Sequence, residues 1–283
     1  MARVRTTAGA SLPSATSSTA SSEAVARVTR ITSRSNPLLA RLRKLASDGT
    51  ASRRSGTVLL EGEHLCEAWR ARPGARVLHA IVTDDAWLEP RLRRLAEAAD
   101  ETAIVSASTL ASVATLESPP PIAFLVPLPP SLEIDPDAPT VVLDRVQDPG
   151  NVGSILRSAA SFGFTQAIAL AGTAALWSPK VVRAGMGAHF SLRLVDAAAP
   201  RSLAALAVPL FGTSSHATAA LADAALPWPC AWVFGHEGQG LADDVAALCR
   251  AIVAIPQPGG GESLNVAAAA AVCMYDTVRR RAA

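Results

Sequence analysis

The sequence predicts an α/β protein in two parts, on three observations. Short apolar runs alternate with segments of helical periodicity, the pattern of strands joined by helices. In the second half those runs are nearly continuous, as in strands covered on both faces, so a parallel sheet is expected there. Between the halves, residues 127–140 (PLPPSLEIDPDAPT) hold five prolines and no apolar periodicity, the composition of a stiff, extended linker. The expected boundaries are a disordered leader over 1–30, a small N-terminal α/β domain over 31–126, the linker over 127–140 and the parallel-sheet domain over 141–283.

Residues 1–24 are almost entirely Ala, Ser, Thr and Arg and lack the apolar core of a secretory signal. They read as a disordered leader, with an organellar transit peptide as the alternative. From Asn36, NPLLARLRKLAS places Leu38, Leu39, Leu42 and Leu45 at helical spacing with Arg41, Arg43 and Lys44 between them, an amphipathic helix with a basic face. TVLLEG (57–62) reads as a strand entering helix EHLCEAWRAR. Strand VLHAIVTD (77–84), helix WLEPRLRRLAEAAD (87–100), strand TAIVSA and helix STLASVATL follow, and the domain ends near Val126.

Composition narrows the class. A chain of 283 residues with 49% hydrophobic and 18% charged side chains is globular, and its apolar runs are all shorter than the roughly 18–20 residues of a spanning helix. The net charge of +2 hides an asymmetry: residues 1–60 hold ten Lys/Arg against Glu23 and Asp48, leaving +8 there and −6 elsewhere. A basic end attracts polyanions, although a basic flexible tail has the same composition. Cys66, Cys230, Cys249 and Cys273 are far apart, with no pair at zinc-ligand spacing, so no metal site is expected. They read as small buried hydrophobes in a reducing, cytoplasmic compartment.

In the second half, strands are expected at VVLD (141–144), AIALA (167–171), SLRLV (191–195), VPLFGTS (208–214), CAWVFG (230–235) and AIVAIP (251–256). Three Gly/Asn-rich loops follow strands, and in open α/β sheets ligands bind at the carboxyl ends of strands. In DRVQDPGNVGSILRSAASFGF (144–164), Asn151 can cap a helix that starts near Val152, with Ile155, Leu156, Ala159 and Phe162 facing the core and Arg157 on another face. An Arg on a helix is ordinarily a solvated residue. Here it follows a helix start of small residues (Gly150, Gly153, Ser154) that leaves backbone N–H groups open to an anion, which Arg157 could hold bidentately. FGHEGQGL (234–241) sets three glycines around Glu237 but lacks the ending of a phosphate-cradling loop and the spacing of a dinucleotide fingerprint, which demotes nucleoside triphosphates and NAD. In IPQPGGGESLNVAAAAAV (255–272), Ser263 or Asn265 would serve as a helix cap, and the alanines at 267–271 permit a close helix approach.

Taken together, a D-P-x-N-V-G-x-x-x-R element, an F-G-x-E-G-x-G-L element and an S-L-N-V element in this order resemble motifs 1, 2 and 3 of the SpoU (TrmH-type) branch of the SPOUT RNA methyltransferases. The resemblance covers 141–280 and includes WSPKVVRAGMGAHFSLRL (177–194). NPLLARLRKL and VLLEGEHLCEAW are similar, more weakly, to the ribosomal-protein-like substrate-binding domain that some members carry. Gly185 departs from the Ser of many members, and 257–261 is richer in Pro and Gly than usual.

The resemblance implies a parallel-sheet SPOUT domain with a deep trefoil knot, S-adenosylmethionine held by the knot loops, a homodimer with its active site at the interface, and methylation of a ribose 2′-hydroxyl in structured RNA. It assigns Arg157, Asn151, Glu237, Ser263 and Asn265 to catalysis. The cofactor falls to Gly235, Glu237, Gly238, Ile255, Gln257, Leu264 and Asn265. Arg157 stabilises the developing oxyanion, since a guanidinium stays protonated. RNA phosphates fall to Arg41, Arg43, Lys44, Arg53 and Arg54. Ribosomal RNA is the expected substrate, with tRNA methylation or a non-catalytic RNA-binding factor on the same scaffold as alternatives.

Overall fold

The computed structural model describes residues 27–114, 116, 118–260 and 262–281, and its first element departs from the sequence reading. Arg27–Arg30, placed above in a disordered leader, form strand β1, which pairs in parallel with Glu101–Val105. Residues 1–26, the rest of the leader, lie outside the described residues. All four β1 side chains are exposed, so no buried alternation marks this strand in the sequence.

Helix α1 (Pro37–Ser47) forms where the leucine spacing predicts it. Asn36 Oδ1 accepts the Leu38 N–H at 2.8 Å, Pro37 fills the first turn, and Leu39, Leu42 and Leu45 are buried. There follow α2 (Ala51–Ser55), β2 (Thr57–Glu61), α3 (Glu63–Arg70) and β3 (His79–Thr83). The helix expected over 87–100 is two: α4 (Asp84–Leu88), capped by Thr83, and α5 (Pro90–Ala96). Glu89 is extended (φ −79°, ψ 118°) because the following Pro90 excludes the helical conformation. After β4 (Glu101–Val105) and α6 (Ala107–Ala111), strand β5 (Ile122–Pro127) returns antiparallel between β3 and β2, giving the order β1-β4-β3-β5-β2.

The second sheet consists of β6 (Thr140–Leu143), β7 (Gln166–Leu170), β8 (Arg193–Ala198), β9 (Leu210–Thr213), β10 (Ala219–Ala220), β11 (Ala231–Phe234) and β12 (Ala251–Ala254). Its order is β10-β12-β9-β11-β6-β7-β8, with every pairing parallel as expected. Helices α7 (Pro149–Ser161), α8 (Pro179–Gly185), α9 (Asp243–Ala246) and α10 (Val266–Arg281) complete it, and the Trp232 indole N–H donates to Thr277 Oγ1 at 2.9 Å to fix α10 on β11. Because β12, β9, β11 and β6 are adjacent and parallel, their carboxyl-end loops converge on one edge of the sheet.

The proline-rich segment is a strap rather than a spacer. Leu128 N–H donates to Gly56 O, Leu132 N–H to Leu194 O, Asp196 N–H to Ser131 Oγ, and the Gln166 amide exchanges two bonds with the Asp135 backbone at 2.8 and 3.0 Å. It thereby covers β8, an edge strand whose unpaired groups would otherwise be open. The two sheets and their helices share one apolar core, with Leu60, Trp69 and Phe124 from the first half of the chain and Val181, Val182 and Leu194 from the second. Ser52 Oγ donates to Trp177 O at 3.0 Å, and the Trp69 and Phe190 rings meet edge-on at 5.6 Å with the Arg72 guanidinium over both. All four cysteines are free; three are buried and Cys249 is half-buried. No helix among the described residues is long and apolar enough to cross a membrane.

Candidate active site

Helix α7 begins three residues before the start read from the sequence, and its cap is Asp148. The Asp148 carboxylate accepts the Asn151 N–H at 2.8 Å, with Pro149 in the first turn. Asn151 is therefore not the cap. It sits inside the helix, and its side chain is free to bond outward. Its Nδ2 donates to Glu237 Oε1 at 3.0 Å, and its Oδ1 accepts from Asn265 Nδ2 at 2.9 Å.

Of the two candidates for the helix cap, Asn265 is the one that acts: its Oδ1 accepts the N–H groups of Ala267 and Ala268 at 2.9 and 3.3 Å. Its Nδ2, which the cap leaves unused, is what donates to Asn151. Glu237 closes the chain from the other side, accepting the backbone N–H of Gln147 at 3.2 Å and of Asp148 at 3.1 Å. One side chain from each of the three motif loops thus forms the series Asn265–Asn151–Glu237. Burial pushes the Glu237 carboxyl up, but the Asn151 amide and the backbone N–H groups of Glu237, Gln147 and Asp148 outweigh it and hold the group below the usual carboxylate range.

Beside this series lies a cleft of about 590 Å³. Its walls include Gly235, Glu237, Gly238, Ile255, Gln257, Ser263, Leu264 and Asn265, so the whole expected cofactor set is brought together. Glycine is demanded at 235, where a Cβ would overlap the backbone of Gly240. The loop is held doubled back by His236, whose N–H and C=O pair with Gly240 while its Nδ1 accepts from Gly238 and Gln239. Ile252, Ile255, Leu241 and Leu264 supply apolar surface and the loop backbones supply polar groups, which suits a flat heterocycle joined to a polar chain. The 213–216 loop, Thr213 to His216, also lines the cleft and was missed. Its only signal is a polar Ser-Ser-His run at the carboxyl end of a strand.

Arg157 does not line this cleft. It lies exposed on α7, on the ridge of Ser154 and Ser161, and its guanidinium has no hydrogen-bonding or ionic partner among the described residues. The basic N-terminal set is mostly engaged within the chain. Arg53 makes a bidentate pair with Asp196 (3.0 and 2.6 Å), Arg54 bonds Asp48 and Thr50, Arg41 bonds Thr57 Oγ1 at 3.0 Å, and Arg43 bonds Arg34 O. Only the Lys44 ammonium of that set has no polar partner among the described residues. Among the described residues no cluster of three or more His, Cys, Asp or Glu is placed to hold a metal ion.

Residues 138–275 match the model of the SpoU rRNA Methylase family. The chain is 34% identical over 268 residues to an uncharacterised tRNA/rRNA methyltransferase of Synechocystis, covering 90% of this chain and 95% of that one. It is 29% identical to the 23S rRNA (guanosine(2553)-2′-O)-methyltransferase RlmP of Bacillus subtilis, covering 78% and 88%. The crystal structure of the SpoU methyltransferase AviRb from Streptomyces viridochromogenes, in complex with AdoMet, superposes with a TM-score of 0.77 at 27% identity, over 88% of this chain and 99% of that one.

Proposed function

The chain belongs to the SpoU rRNA methylase family, and from that premise we propose how its own residues carry S-adenosylmethionine-dependent methylation of a ribose 2′-hydroxyl in RNA. The observation that carries the assignment is the Asn265–Asn151–Glu237 series at the mouth of the cleft. A protein that only bound RNA would have no use for three loops tied by polar side chains beside an apolar slot. The names of the relatives, 23S rRNA 2′-O-methyltransferases among them, favour ribosomal RNA over tRNA.

S-adenosylmethionine supplies an activated methyl group, and Gly235, Gly238, Ile255, Gln257 and Leu264 would hold it, with Glu237 and Asn265 at the rim. The ribose hydroxyl is too weakly acidic to ionise at neutral pH, so the site must stabilise the charge developing on its oxygen as the methyl is accepted. Arg157 supplies that stabilisation as a permanent cation, Asn151 and Asn265 orient the ribose, and Ser263 completes the polar rim. The hydroxyl proton is taken up elsewhere, because a guanidinium has no acceptor.

A homodimer accounts for the placement of Arg157 outside its own chain's cleft. Exposed Val272 and Tyr275 form a stripe on α10, and Tyr275 meets Phe162 at the end of α7 at 5.9 Å, so one apolar face runs beside the Arg157 ridge. Two copies joined there would build the active site from both. The trefoil knot and a cytoplasmic setting belong to the same reading. Of the basic set, Lys44 is best placed to meet an RNA phosphate; Arg41, Arg43, Arg53 and Arg54 would do so only from positions already tied within the chain.

The experiment is incorporation of labelled methyl from S-adenosylmethionine into unmodified total RNA, wild type beside Arg157→Ala, with the product read for 2′-O-methyl nucleosides. Labelling of large-subunit rRNA by wild type and its loss in the variant is expected. Binding of the cofactor with no labelling of rRNA, tRNA or ribosomal assembly intermediates would overturn the catalytic assignment.

A further inference from the structure

Arg145, the second residue after β6, adopts φ +58°, a left-handed conformation that a residue with a side chain holds only when its surroundings impose it. Gly would sit there without strain. The stem of Arg145 lies over Gly172, where a Cβ would stand 3.1 Å from Arg145 Cγ, and its backbone N–H donates to Thr173 Oγ1 at 3.1 Å. From this position the guanidinium makes four bonds. Nε donates to Asp144 Oδ1 (3.0 Å), Nη2 to Asp144 Oδ2 (3.2 Å) and to Gly240 O (3.2 Å), and Nη1 to Gln239 Oε1 (3.0 Å). Asp144 is buried, and its Oδ2 also accepts the Ala242 N–H at 2.7 Å.

The Asp144–Arg145 pair therefore grips the 235–241 loop at Gln239 and Gly240 and, through Ala242, just past its end. The same loop is a wall of the cleft. Gly235 packs on the backbone of Gly240 so closely that no Cβ fits between them, so the position of Gly240 sets that of Gly235. Arg145 itself does not line the cleft.

We infer that Arg145 is a positioning residue for cofactor binding: through Gly240 and Gln239 it holds the 235–241 wall at the spacing the cofactor requires. The inference rests on the methyltransferase reading above and adds to it a residue that never touches the cofactor. A planar fork is needed, because the four bonds leave from three separate nitrogens, whereas a lysine ammonium has three donors on one atom.

The test uses the full chain with Arg145→Ala, Arg145→Lys and Gln239→Ala. Three quantities are read: affinity for S-adenosylmethionine by calorimetry, amide exchange over 236–242 without cofactor, and single-turnover methylation at saturating cofactor. For Ala and Lys at 145 the dissociation constant is expected to rise about tenfold. Exchange over 236–242 accelerates in both, whereas the saturated rate changes much less than the affinity. Lysine, by keeping a cation beside buried Asp144, restores the thermal midpoint but not the affinity, a split that a purely structural ion pair would not produce. Unchanged affinity and exchange in the lysine variant would overturn the inference. Should the alanine variant not fold, Arg145→Lys and Gln239→Ala decide it. If wild type binds no cofactor, the methyltransferase reading fails, while the exchange comparison still decides whether Arg145 holds the loop.

Discussion

Asn151 Nδ2 stands 3.0 Å from Glu237 Oε1, so a bond between two side chains joins the first turn of α7 to the loop after β11, beside the bonds that Glu237 takes from the Gln147 and Asp148 backbone. Glu237 is an acceptor only, and all its described partners are donors: Asn151 and the N–H groups of Gln147 and Asp148. Glu237→Gln would turn one oxygen into an NH₂ group facing a donor. The NH₂ costs least at the Oε2 place, where the bond from Gln147 is lost and the two bonds at Oε1 lose their charge assistance; both loops loosen, and the single-turnover rate is expected to fall at least about tenfold. Because the folded carboxyl titrates below its ordinary value, its bonds are complete above that range and are lost only as pH falls through the lowered value. The rate of wild type between pH 6 and 8 is therefore not limited by this group. A rate for Glu237→Gln equal to wild type would remove Glu237 from the site.

Gly185 and His189 are fitted to one another. A Cβ at 185 would lie 2.7 Å from His189 Cε1, while Gly153 on α7 backs directly onto α8. The departure from Ser noted at 185 is thus matched by a buried imidazole against it. Gly185→Ala should destabilise by about 1–3 kcal/mol through overpacking, and a smaller residue at 189 should return part of that loss. Urea melts of both singles and the double variant measure the coupling, and strict additivity would mean that the two do not meet.

His189 also predicts a pH dependence of stability. It is fully buried, its Nε2–H donates to Leu176 O at 2.8 Å, its Nδ1 has no partner, and burial pushes its pKa down to about 4. Above the ordinary value near 6.5 the imidazole is neutral in folded and unfolded chains alike. Below it the unfolded chain takes a proton that the folded chain refuses, so stability falls with pH until the lowered value is reached. Between pH 7 and 5 the loss from this residue is about 2 kcal/mol. Replacing His189 by Gln should flatten the dependence by that amount in paired melts, and an unchanged slope would show that His189 does not titrate as described.

The second domain was readable because each of its long strands is a continuous apolar run ending in a loop of unusual composition. Its catalytic edge follows from parallel strand order, which places four such loops side by side. The first domain was readable only where burial writes a period into the sequence. Exposed β1 carries none, and the break at Glu89 and Pro90 was overridden by the leucine and arginine spacing on either side. Within the site, residue types and spacing gave the members of the Asn265–Asn151–Glu237 series but not its wiring. Whether Asp148 or Asn151 caps α7 turns on the backbone conformation of Pro149, Gly150 and Asn151, and that choice decides whether the Asn151 side chain bonds its own helix or reaches Glu237. The placement of the 213–216 loop and of Arg145 depends on non-local pairing, which no local pattern encodes.

Arg53 and Lys44 separate two roles that charge alone had merged. The Arg53 guanidinium grips Asp196 with two bonds across the domain junction, next to the Ser52–Trp177 bond, whereas the Lys44 ammonium has no partner among the described residues. Neutralising Arg53 should therefore loosen the junction. Arg53→Ala is expected to cost about 1 kcal/mol, the scale of a partly exposed ion pair with good geometry. Removing a cation that meets a phosphate acts differently: Lys44→Ala should leave the thermal midpoint unchanged and reduce the slope of log affinity for RNA against log salt by about one. Melting and salt titration of both variants give a crossed result if each residue has one role. A slope change in Arg53→Ala equal to that in Lys44→Ala, with no loss of stability, would show that Arg53 leaves Asp196 to bind RNA.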